Sequence, residues 1–75
     1  MDKLELNFLF KDQNSGTGGC PAVYATNRST HVIQGWNLPA GTELLNQAAN
    51  ETGVEVPDNI IDQIGERWAR GHGLI

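Results

Sequence analysis

Two β-prone runs, Pro21–Thr26 and Thr30–Trp36, stand three residues apart, and the Asn27-Arg28-Ser29 between them is turn chemistry. No other feature constrains the fold as strongly. A three-residue connection leaves the two runs little choice but to pair as an antiparallel hairpin. With the turn centred near Arg28, His31 falls opposite Ala25 or Thr26, and Cys20 falls opposite Trp36 or Asn37. Asn27 is the natural residue for a left-handed backbone in that turn.

The remaining elements arrange themselves around this hairpin. Leu4, Leu6, Phe8 and Phe10 alternate with Glu5 and Asn7, the period of a half-buried strand. Lys11 to Gly19 is polar and glycine-rich, hence a loop. Leu38-Pro39-Ala40-Gly41 turns the chain, and residues 42–49 read as a short helix capped by Thr42, with Leu44, Leu45 and Ala48 on one face. Val54-Glu55-Val56 reads as a brief fourth strand that Pro57 stops. Asp58 then caps a C-terminal helix whose Ile60, Ile61, Ile64 and Trp68 share a face, and Gly71 is placed to end it. Gly65, inside that helix, reads as a point of close packing. The expectation is one α+β domain over 1–75. It has a mainly antiparallel sheet in β-β-β-α-β-α order, with the short helix and the C-terminal helix packed on one face.

The glycine-rich loop Ser15-Gly16-Thr17-Gly18-Gly19 runs into Cys20. Backbone N–H groups in such loops cradle phosphate when a helix follows. Here a strand follows, and no Lys-Ser or Lys-Thr pair completes a P-loop. A nucleophilic Cys20 requires a base to make the thiolate. The hairpin register separates Cys20 from His31 by some 15–20 Å along the ladder, and His72 lies in the C-terminal tail. Cysteine packs readily as a small hydrophobe, so Cys20 is expected to be structural and no catalytic residue is assigned. A small thiol-dependent enzyme or ligand binder built on the Gly16–Cys20 loop stands as the alternative.

Charge and spacing bear on other classes. Nine acidic residues against five basic ones give a net charge of −4, which weighs against phosphate-backbone binding. The basic and aromatic residues Arg67, Trp68, Arg70 and His72 cluster near the helix end, where cations also complement the helix dipole. A weak nucleic-acid contact through Arg67 and Arg70 is therefore the third reading. Cys20, His31 and His72 lack metal-ligand spacing, and Asp58, Asp62 and Glu66 read as a solvated helix face. No cofactor or metal is expected. No basic start precedes an apolar run, and no stretch approaches the roughly 18 apolar residues of a membrane span. A single cysteine suits a reducing compartment, so the expected location is cytoplasmic.

Two family likenesses rest on particular residues. Gly19-Cys20-Pro21-Ala22-Val23-Tyr24-Ala25-Thr26 with Val32-Ile33-Gln34-Gly35-Trp36 and Val54-Glu55-Val56-Pro57 resembles short actinomycete proteins of uncharacterised function, often encoded beside helix–turn–helix regulators. That resemblance spans about half of the chain. The loop Ser15 to Cys20 is loosely similar to the small developmental proteins of the BldB kind. The resemblance implies a cytoplasmic bacterial accessory protein with a regulatory role. Together with the thin core of so short a chain, it favours a protein–protein interaction module without catalysis. Its partner would be a second copy of itself or a regulatory protein. Tyr24, Trp36, Arg67 and Arg70 are the candidate interaction residues.

Overall fold

The computed structural model describes residues 3–16 and 19–75. Three strands, β1 (Leu6–Lys11), β2 (Ala22–Thr26) and β3 (His31–Gln34), form an antiparallel sheet in the order β1-β2-β3. One helix, α1 (Asp58–Gly71), follows near the C-terminus. The expected hairpin register holds, with Ala25 opposite His31 and Ala22 opposite Gln34.

β1 departs from simple alternation. Phe8 pairs with Tyr24 and Phe10 pairs with Val23, so Leu9 is an extra residue in a bulge. Leu6 and Phe8 therefore share a face with Tyr24 and Val32. Leu9 and Phe10 turn to the other face with Val23 and Ile33, where they line a cleft against α1. The expected single face of Leu4, Leu6, Phe8 and Phe10 is split in two by this bulge.

The hairpin turn also differs in one residue. Ser29, with φ 60°, takes the left-handed conformation. A three-residue loop places that backbone at its last position, after a turn of ordinary φ. Asn27 does other work: its Oδ1 accepts from Glu5 N at 3.1 Å and its Nδ2 donates to Lys3 O at 3.1 Å. Its amide thus holds the chain just ahead of β1.

The helix expected over 42–49 is replaced by turns. Eight residues cannot nucleate a helix without tertiary packing, and Leu45 is 93% exposed. Asn46 is left-handed at φ 58°, which breaks the helical path. The expected fourth strand is reduced to a single antiparallel bridge between Trp36 and Glu55. The observed order is therefore β-β-β-α.

α1 begins after Pro57, with no side-chain cap, and Asp58 sits in its first turn rather than capping it. There its charge still faces the positive end of the helix dipole. The helix ends in a Schellman motif: Leu74 N donates to Ala69 O at 2.9 Å and Gly73 N to Arg70 O at 3.2 Å. Gly73, at φ 72°, supplies the left-handed residue expected of Gly71. A Cβ added to Gly65 would meet nothing within 4 Å, so Gly65 is no point of close packing within the chain. Among the described residues, no helix is long and apolar enough to cross a membrane.

Candidate interaction surface

The helix is fastened to the sheet by a polar cluster around Asp12, just past the end of β1. The Asp12 carboxylate accepts from Asn14 N at 3.0 Å, Ser15 Oγ at 2.7 Å and Asn59 Nδ2 at 2.7 Å. Its own N–H donates to Pro21 O at 2.8 Å. Asn59 Oδ1 accepts from Gln13 N, and Gln63 Nε2 donates to Lys11 O at 3.0 Å. Asp12 is 5% exposed. The Asn14 amide first, then the Ser15 hydroxyl and the Asn59 amide, favour its charged form and hold the carboxyl below its ordinary range. A buried carboxylate needs such partners. In the sequence Asp12 is marked only by Asp12-x-Asn14-Ser15, the spacing of an Asx turn.

This cluster secures only the first half of α1. Ile60 is fully buried, and among the described residues Cys20, Pro21, Ala22 and Val23 are buried as well. Further along, Ile64, Arg67 and Trp68 stand off from the sheet. They and Leu9, Phe10, Val23, His31 and Ile33 enclose an open cleft of about 420 Å³. Trp68 is 58% exposed and stacks on His72, ring centroids 4.2 Å apart. The opposite sheet face is open as well: Leu6 and Phe8 are about half exposed. Phe8 meets Tyr24 edge-on at 5.9 Å.

The four candidate residues do not converge. Tyr24 is half-buried on the face away from the cleft, its hydroxyl donating to Gln34 Oε1 at 2.8 Å. Trp36 lies past β3, exposed, its backbone tied to Glu55. Arg67 lines the cleft with its guanidinium 6.0 Å from the Phe10 ring centre. Arg70 flanks a shallower depression with Arg67 and Gly71.

In the glycine-rich loop, Thr17 and Gly18 lie outside the described residues. The flanking part is held from β1: Lys11 Nζ donates to Ser15 O at 2.8 Å and Gly16 O at 3.1 Å. Cys20 is buried and its Sγ donates to Gly16 O at 2.9 Å. The register puts Cys20 five residues from the position opposite His31, about 17 Å along the strand. Those two side chains do not form a dyad. Among the described residues, no three His, Cys, Asp or Glu side chains are grouped to hold a metal ion.

What the arrangement offers is a large exposed surface on which Leu6, Phe8, Trp36, Ile61 and Trp68 stand open. The chain exposes 6080 Å², whereas a folded monomer of 8.2 kDa exposes about 4500 Å². Its radius of gyration is 14.2 Å against about 11 Å for a compact domain of this length. Compared with protein-family models, curated proteins and solved structures, the chain finds no match in any of the three.

Proposed function

We propose that this protein is a small cytoplasmic protein–protein interaction module, a bacterial regulatory accessory without catalysis, whose open apolar surface is covered by a partner. The supporting observation is the surface excess of about 1500 Å² over a monomer of equal mass. Soluble monomers rarely leave large contiguous apolar patches in water. That excess, polar and apolar surface together, exceeds the roughly 800 Å² that each partner buries in a standard interface. The regulatory setting is part of this proposal and rests on the resemblance of residues 19–26, 32–36 and 54–57 alone.

Affinity capture from the native cell extract, combined with sedimentation, tests this reading. The expected result is either self-association or one protein retained in stoichiometric amount. A strict monomer that retains no partner overturns it.

A further inference from the structure

The sheet has two edges, and they are treated differently. β1 carries three features that oppose strand addition: the bulge at Leu9, the charge of Lys11, and the Gln63 amide bonded to the Lys11 carbonyl. β3 carries none of them. Its residues are His31-Val32-Ile33-Gln34, without Lys, Arg, Asp, Glu or Pro. Only β2 pairs with it, and the backbone is next engaged past its end, where Trp36 meets Glu55. Among the described residues, its outer edge has no strand partner. That edge borders the cleft, whose rim includes Ile33 and Trp68, 40% and 58% exposed.

We infer that β3 is the docking edge for a second copy of this chain, pairing antiparallel with its own β3 across a two-fold axis. This rests on the interaction reading above and names its partner. The two-fold keeps like faces together. The resulting six-stranded sheet gathers Phe10, Val23 and Ile33 of both copies on one face, and Phe8, Tyr24 and Val32 on the other. Self-pairing at this edge brings no carboxylates of β3 together, despite the charge of −4 on each copy. The excess of about 1500 Å², taken over the whole chain, is of the size that each protomer of an obligate homodimer buries, roughly 1000–2500 Å². Backbone hydrogen bonds along the edge supply the register, and the apolar residues beside it supply the affinity.

The test is sedimentation equilibrium of the whole chain. The wild type is expected at twice 8.2 kDa. Ile33→Lys forces an unpaired charge into the interface, so association weakens by more than about 100-fold while circular dichroism shows the fold retained. Leu45→Lys, on an exposed turn, leaves the dimer intact. Should Ile33→Lys fail to fold, hydrogen exchange on the wild type decides. The β3 amides that point away from β2 are then expected to be protected at high concentration and to exchange rapidly on dilution. A dimer that survives Ile33→Lys, or β3 amides unprotected in the dimer, overturns the assignment. A monomer that retains a partner from extract overturns self-pairing and leaves the interaction reading standing. A monomer that retains nothing removes both.

Discussion

Replacing Gly35 with alanine puts a carbon where the structure has no room for one. The added Cβ would lie 2.6 Å from Glu55 O, 2.8 Å from Val56 Cγ1 and 3.0 Å from Val54 Cγ2. The two valine methyls can rotate away, but the carbonyl oxygen cannot. It is fixed by Trp36 N at 2.8 Å, and Glu55 N returns a bond to Trp36 O at 2.9 Å. Relief therefore requires residues 54–56 to withdraw, and both bonds of the bridge are lost. At about 1 kcal/mol net per bond, the loss is about 2 kcal/mol. Alanine recovers about 0.4–1 kcal/mol by narrowing the unfolded ensemble. The expected net destabilisation is about 1–2 kcal/mol, a fall of roughly 4–8 °C in melting temperature for each kcal/mol in a domain of this size. Urea unfolding at fixed protein concentration measures it as a lower midpoint with the slope unchanged. Gly35→Ala as stable as the wild type would refute the reasoning, because the bridge would then not hold residues 54–56 against the sheet.

Gly65→Ala, with open space at its Cβ, should raise helix stability by about 1 kcal/mol in thermal unfolding; a loss instead would place a partner atom there. Ser29→Gly should stabilise by roughly 0.5–1 kcal/mol, since Ser29 is left-handed and glycine takes that backbone without strain. Urea titration reads the change, and Asn27→Gly should do the opposite by freeing Glu5 N and Lys3 O. Asp12 has a lowered carboxyl pKa in the fold, so its contribution is complete above its unfolded value and fades as the pH falls through the folded one. Asp12→Asn should therefore be less stable than wild type near neutrality, and the gap should close below about pH 4; a gap constant with pH would show that the charge of Asp12 does not matter.

The parts legible in the sequence are those set by local pattern. Alternation over Leu4 to Phe10, the three-residue turn and the spacing of Ile60, Ile64 and Trp68 placed the sheet, the register and α1. Residues 42–49 misled because a capped apolar pattern makes a helix only when something covers it, and Leu44 and Leu45 are left exposed. The bulge at Leu9 left no mark in a run where Phe8, Leu9 and Phe10 are all apolar. The Asx turn at Asp12 has a local spacing, but its link to Asn59 leaves no local mark because the two lie 47 residues apart. Trp68 falls on the apolar side of its helix as expected, yet it lines an open cleft and is 58% exposed. Helical periodicity reports a face, not how far that face stands from its neighbour.

Whether a partner copy completes this open fold is tested most directly by the unfolding midpoint measured against protein concentration. A protein that folds only as a dimer gains about 2.7 kcal/mol of apparent stability per mole of dimer, about 1.4 per chain, over a hundredfold rise in concentration. A denaturation midpoint that climbs accordingly is expected. A midpoint unchanged over that range would contradict completion by a second copy, because the fold would then be complete in a single chain.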